Sequence, residues 1–257
     1  MSFGLEGRVA IVTGAARGIG LGGVARLTSE GVHVLAWDLP TARFDEALAC
    51  ATADARVLAF RGDVAQGDAW REAVSAAHEA FGRIDILFSN AGISGPIRPV
   101  STYADEDFDQ VMAVNARGVF LGLKHVGAYM AERRAGVIVN VSSIAGMGGG
   151  SAIFAYTASK HAVIGMTKSA AVHYAPRNVR VIALCPSPTN TEMMAFAERS
   201  ASPADPAAAR PAFRAAIPLG RYGEPEDIAN VLAFVASDQA AFLTGAIIPV
   251  DGGLTAR

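Results

Sequence analysis

The run RVAIVTGAARGIG at residues 8–20 decides the fold: six residues of strand character end in a turn with three glycines that opens into a helical segment. Such a strand–turn–helix is the first unit of a nucleotide-binding sheet, because glycine permits the tight turn and lets the backbone approach a pyrophosphate at the helix N-terminus. The glycines are Gly14, Gly18 and Gly20, with Arg17 and Ile19 between them. Their spacing is G-x-x-x-G-x-G rather than G-x-G-x-x-G, so the turn alone is weak evidence, with a purely structural role as the lesser alternative.

Outward from this turn, short apolar runs recur at residues 32–37, 55–60, 84–88, 136–141 and 179–184. They are almost continuously apolar rather than alternating, as strands buried on both faces of a parallel sheet must be. Helical segments fit between them at 18–30, 66–81, 105–133, 154–174 and 224–236, with start signals such as Asp105 to Asp107 and Pro225-Glu226. The pattern predicts an α/β fold: one domain over residues 1–257, a doubly wound Rossmann-type parallel sheet flanked by helices. Residues 186–220 are rich in Pro and Ala with no strand pattern, and are read as a small helical substrate-binding lid.

The composition agrees. A chain of 257 residues that is 51% hydrophobic and 18% charged fills one large core, which excludes a disordered or fibrous protein. Its 22 Lys and Arg against 24 Asp and Glu leave no positive surplus for a phosphate backbone, so no nucleic-acid partner is expected. Cys50 and Cys185 lie far apart without metal-ligand spacing, so neither a metal site nor a disulfide framework is expected, and a cytoplasmic location fits. The start MSFGLEGRVA lacks the apolar stretch of a signal peptide. The uncharged run from Ala135 to Ser159 is broken by Asn140, Ser142, Ser143 and Gly148 to Gly150, and reads as strand, loop and helix start, with no membrane span.

Asp38 closes the second strand about 20 residues beyond the glycines, where a carboxylate accepts both ribose hydroxyls of an adenosine and repels a 2′-phosphate. It points to NAD. Arg17 points the other way, as a cation suited to a phosphate, or is a pyrophosphate or surface contact. Further on, Tyr156 and Lys160 stand one helical turn apart on one face, and an ammonium beside a phenol favours the phenolate, making a general acid and base. Ser143, thirteen residues upstream, leaves the carboxyl end of a strand, where open α/β sheets bind ligands. Its neighbour Ser142 competes for the same role, but strand alternation turns it to the other side.

With these motifs in order, the chain resembles the short-chain dehydrogenase/reductase family of the classical type along nearly its full length. The matching pieces are TGAARGIG at 13–20, Asp63-Val64, Asn90-Ala91-Gly92, Asn115, Ser143, YTASK at 156–160 and VDGG at 250–253. The resemblance implies that Tyr156 exchanges a proton with the substrate oxygen while Ser143 orients that oxygen. Lys160 would lower the Tyr156 pKa and bind the nicotinamide ribose, and Asn115 would hold a water that relays protons from Lys160 to solvent. It further implies Asp63 and Val64 at the adenine, and Asn90, Ala91 and Gly92 along the adenosine ribose. After the sixth strand the family has Pro-Gly followed by a threonine. Here Pro186 and Thr191 match, Ser187 replaces the glycine, and backbone near Thr189 is expected at the carboxamide.

The implied activity is an NAD-dependent alcohol dehydrogenase, an oxidoreductase moving hydride between nicotinamide and a secondary alcohol or ketone. An NADPH-dependent ketoreductase is the alternative that Arg17 supports. A non-catalytic dinucleotide-binding regulator is disfavoured by the intact Ser143, Tyr156 and Lys160. Met193, Met194, Phe196, Phe213, Ile217 and Leu219 would form an apolar lid suited to an apolar or cyclic small-molecule substrate, or pack the segment onto the domain. Arg98 either meets a substrate carboxylate or is solvated, and His161 should face away from the cleft. The family also implies a homotetramer built partly through the helices at 105–133 and 154–174 and through the C-terminal segment; Ala158, Ala162, Ala170 and Ala171 would permit close approach there, or are buried within one subunit.

Overall fold

The computed structural model describes residues 3–256. The six apolar runs form strands β1 (Val9–Thr13), β2 (His33–Asp38), β3 (Val57–Arg61), β4 (Ile86–Ser89), β5 (Gly136–Val141) and β6 (Val179–Pro186), joined at the edge by β7 (Ile247–Val250). All pairings are parallel, in the order β3-β2-β1-β4-β5-β6-β7. Helices α1 (Gly18–Ser29), α2 (Asp45–Ala49), α3 (Gly67–Phe81), α4 (Asp105–Met112), α5 (Gly118–Arg133), α6 (Phe154–Tyr174), α7 (Glu192–Ala201), α8 (Pro206–Ala215) and α9 (Pro225–Ala236) follow in chain order.

Strand alternation sorts the core into two layers. Ala10 and Val12 of β1 with Ile182 and Leu184 of β6 pack against Val24 and Leu27 of α1 and Ile228 and Leu232 of α9. Ile11, Val179 and Val181 face the opposite way, onto Trp70 of α3, Val126 of α5 and Val163 of α6. Trp37 and Trp70 meet edge to face at 4.6 Å on this second side. Because the chain winds outward from β1 in one direction and from β4 in the other, the loops after those two strands diverge and open a crevice at the strands' carboxyl ends.

Three features differ from the sequence reading. β7 was not expected, because Pro249 interrupts its apolar run; proline is tolerated there because β7 pairs only with β6, leaving its other edge free. The five-residue α2 was likewise not anticipated. The segment 105–133 is not one continuous α-helix: a π-turn at Ala113–Arg117 separates α4 from α5. Residues 186–220 carry two helices, α7 and α8, each with a start signal: Thr191 accepts from the Met194 amide, and Asp205-Pro206 opens the second. Among the described residues no helix is long and apolar enough to cross a membrane.

Candidate functional site

The crevice holds a cavity of about 560 Å³ between the β1–α1 loop, the ends of β2 and β4, and α7. Gly14 turns the chain with a φ of 65°, and a Cβ there would lie 2.9 Å from Asn90 Nδ2. A Cβ on Gly20 would overlap the Gly14 carbonyl oxygen. Both positions therefore demand glycine. α1 starts from Arg17 with no side-chain cap and no acidic residue in its first turn, so its positive end and free amides face the cavity. Asn90 fastens the opposite wall: its Nδ2 donates to the Thr13 carbonyl (2.9 Å), and the Thr13 hydroxyl accepts the Asn90 and Ala91 amides at 3.0 Å each.

Asp38 stands at the far end of the cavity. Its Oδ2 accepts from the Ala16 amide (3.0 Å) and its Oδ1 from the Leu39 amide (2.8 Å), which aims the carboxylate along the cavity wall. Asp63 accepts from the Ala65 amide (2.9 Å), so this carboxylate shapes the turn after β3 and also lines the cavity.

At the carboxyl end of β5 the second cluster assembles. Ser142 is spent on α6, its hydroxyl donating to the Lys160 carbonyl (2.9 Å). Ser143 turns outward, accepts from the Ala145 amide (3.1 Å) and stands near enough to the Tyr156 phenol to lower its pKa. Lys160 is buried; its Nζ donates to the Val141 carbonyl (2.9 Å) and lies 5.5 Å from the Tyr156 ring centre. Burial raises the Tyr156 pKa above the ordinary phenol value, and nearby Ser143 opposes the rise. Burial lowers Lys160 to about 8, with nearby Cys185 opposing. The expectation that Lys160 lowers the Tyr156 pKa is thus not what the structure has: burial dominates both groups, and the lysine's hydrogen bond goes to the backbone.

The family model described as enoyl-(acyl carrier protein) reductase matches residues 14–255. The chain is a short-chain dehydrogenase/reductase. It is 36% identical to the levodione reductase of Leifsonia aquatica over 97% of this chain and 94% of that one. A crystal structure of levodione reductase superposes with a TM-score of 0.95 at 35% identity, over 98% of both chains. A 3-oxoacyl-acyl-carrier-protein reductase of Thermotoga maritima is 39% identical over 97% of this chain and 98% of that one. NAD+-bound xylitol dehydrogenase is similar in structure, with a TM-score of 0.91 at 33% identity over 97% and 99% of the two chains.

Within this family fold, the cavity brings together Gly14, Arg17, Gly18, Ile19, Asp38 and Asp63 with Val64, Asn90, Ala91, Gly92 and Thr191. Gly20 supports the turn from behind. Of the expected cofactor contacts, Tyr156, Lys160, Pro186 and Thr189 do not line the cavity; Thr189 is buried, with its hydroxyl on the Ser187 carbonyl (2.9 Å). Asn115 falls in the π-turn, a frequent device at functional sites. Its side chain is not free to hold a relay water through its amide hydrogens: Nδ2 donates to the Ile93 carbonyl (2.8 Å) and Ser159 Oγ (3.0 Å), while Oδ1 accepts from the Ile93 amide (2.8 Å). Asn115 instead clamps the loop after β4 against α6. A Cβ on Gly92 would sit 3.2 Å from Asn115 Oδ1 and 3.5 Å from Lys160 Nζ, so these three residues converge.

Of the lid residues, Met193 and Phe196 line the cavity. Ile217 does not: it is buried against the Gly252 turn, and Leu219 is exposed. Phe213 and Met194 also lie outside the lining, as does the exposed Arg98. His161 is exposed and bonded to the Thr157 carbonyl. Sequence reading missed Gly62, Ser94, Gln110, Val114 and Arg199 in the lining. Only Arg199 had a local signal, since Met193, Phe196 and Arg199 recur every third residue along one face of α7.

Proposed function

We propose that the protein is an NAD-dependent oxidoreductase acting on a CH–OH group, with Tyr156 as the acid/base. The observation that carries this reading is the convergence of Tyr156, Ser143 and buried Lys160 at the strand ends that also open the Asp38-lined cavity. The chemistry of the donor set fits a dinucleotide: uncapped amides at the α1 N-terminus for its diphosphate, a carboxylate for ribose hydroxyls, and glycines where any Cβ would obstruct the turn. When bound, the dinucleotide supplies the hydride acceptor or donor at its nicotinamide.

The chain's own residues supply the rest. Ser143 donates a hydrogen bond to the substrate oxygen and fixes it against Tyr156. In the oxidative direction the Tyr156 phenolate takes the hydroxyl proton; in the reductive direction the phenol returns it to the carbonyl oxygen. Lys160, buried beside the Tyr156 ring and held by the Val141 carbonyl, would bind the nicotinamide ribose. Asn115 positions the loop on the other side of Lys160. Met193 and Phe196 present an apolar roof for an apolar or cyclic substrate.

Asp38 supports NAD over NADP. Arg17 supports the NADPH-dependent ketoreductase reading, since it lines the same cavity and its guanidinium has no partner among the described residues. The chain would act as one unit with 186–220 as its lid. Exposed Phe120 on α5 and Val172 on α6 support a homotetramer through those helices. The test is nicotinamide absorbance with NAD+ or NADP+ against secondary, cyclic and dihydric alcohols. Turnover with NAD+ is the expected result. Silence across the panel with dinucleotide binding intact would favour the regulator reading.

A further inference from the structure

Ser187 follows Pro186 at the carboxyl end of β6, beside the strand end that carries Ser143, and puts a hydroxymethyl group there. Its direction follows from the ladder. The Ser187 amide donates to the Val250 carbonyl (3.3 Å), as the Ala183 amide donates to that of Ala246 (3.0 Å), so Ser187 prolongs β6 in register. Along β6, Ile182 and Leu184 face α1 and α9, whereas Val179 and Val181 face the layer that contains α6. Cys185 continues the second series, its thiol against Ser142 and Lys160. Ser187 is the next member, on the α6 side at the carboxyl end of β6.

Ser143 lies beside it. The Ser142 amide donates to the Leu184 carbonyl (2.8 Å), which places Ser143 alongside Pro186 on the adjacent strand. The strand spacing and rise then put the Ser143 and Ser187 Cα atoms about 6 Å apart.

Ser187 is only 9% exposed. Its amide is bonded to Val250 and its carbonyl accepts the Thr189 hydroxyl (2.9 Å), so the peptide is pinned. Its own hydroxyl bonds to none of the described residues. A hydroxyl without a protein partner at this nearly enclosed position is open to a ligand oxygen, and a site that holds one ready discriminates between substrates that can and cannot satisfy it.

We propose that Ser187 is a specificity-determining residue whose hydroxyl binds a second oxygen on the substrate, so that diols and hydroxyketones are preferred over monohydric alcohols. This rests on the oxidoreductase reading above. The separation from Ser143 suits an oxygen one or two carbons removed from the reacting carbinol, with Ser143 and Tyr156 holding the first oxygen and Ser187 the second. No bond is made or broken at Ser187.

The test is kcat/KM for cyclohexanol and for the cis and trans 1,2-cyclohexanediols, with whichever dinucleotide the enzyme binds, in the parent, Ser187→Ala and Ser187→Gly. The parent should favour one diol by about tenfold, the effect of a single hydrogen bond, mainly through KM. That ratio should collapse in both variants. A pure volume effect would move diol and monohydric alcohol together and leave the ratio intact, which overturns the proposal, as does a parent with no preference. Oxidation of cyclohexanol under either result keeps the oxidoreductase reading standing. Silence with all alcohols removes that reading and this proposal with it. Should one variant fail to fold, the other variant and the parent ratio decide.

Discussion

Replacing Asp38 with Ala probes the cofactor assignment at the atom that distinguishes the two dinucleotides. In the parent, its carboxylate is held by the Ala16 and Leu39 amides and lines the cavity. Losing charge-assisted bonds to the ribose hydroxyls costs NAD+ about 1.5–3 kcal/mol. For NADP+ the sign reverses. A phosphate about 5 Å from the carboxylate, at an effective dielectric of about 20, is repelled by roughly 3 kcal/mol per unit charge, and solvent at this half-buried site screens part of it. Removing the carboxylate therefore weakens NAD+ and relieves NADP+, and the ratio of their dissociation constants should shift by about 100-fold. Asp38→Asn serves as control, because it removes the charge while keeping one oxygen for the backbone amides. Calorimetric titration of both dinucleotides at fixed ionic strength reads the ratio directly. A ratio within about threefold of the parent in both variants would show that Asp38 is not the discriminating group.

Other expectations follow from the same geometry. Burial lowers Lys160 to about 8 and raises Tyr156 above the ordinary phenol value, so the ammonium is lost before the phenol ionises. Oxidation requires the Tyr156 phenolate and reduction the phenol; kcat/KM for alcohol oxidation should therefore keep climbing on the alkaline side of the Lys160 value of about 8, whereas an oxidation profile that has already levelled off below it would contradict the Tyr156 assignment. Gly20→Ala forces a Cβ into the Gly14 carbonyl and should weaken dinucleotide binding by about tenfold or more while lowering Tm; unchanged binding would show that the loop accommodates it. Asn115→Ala strips three hydrogen bonds from a fully buried junction and should cost about 2–4 kcal/mol in denaturant unfolding, with a loss below about 1 kcal/mol showing that water replaces the side chain.

The central strands were legible because burial on both faces writes itself into the chain as apolar runs such as Val34 to Trp37 and Val137 to Val139. β7 was not: only four residues long and interrupted by Pro249, it owes its place to pairing with β6 rather than to local preference. The lid helices carried start signals at Thr191 and at Asp205-Pro206, but their Pro and Ala content hid them. In the site, Gly14, Asp38 and Ser143 could be placed from strand ends. The role of the Asn115 side chain could not, because it depends on Ile93 and Ser159, which only the folded chain brings together. The Tyr156 and Lys160 spacing was equally visible, yet the spacing says nothing of burial, which reverses the expected direction of the Tyr156 shift.

The most direct test of the account is Tyr156→Phe, which removes one oxygen, the proposed proton carrier, from a buried position beside Ser143. Turnover of an alcohol that the parent oxidises should drop by about a hundredfold or more, the usual scale of general acid–base catalysis, while the dinucleotide still binds with near-parental affinity. A variant that retains turnover would remove Tyr156 from the proton transfer and, with it, the reading of this site.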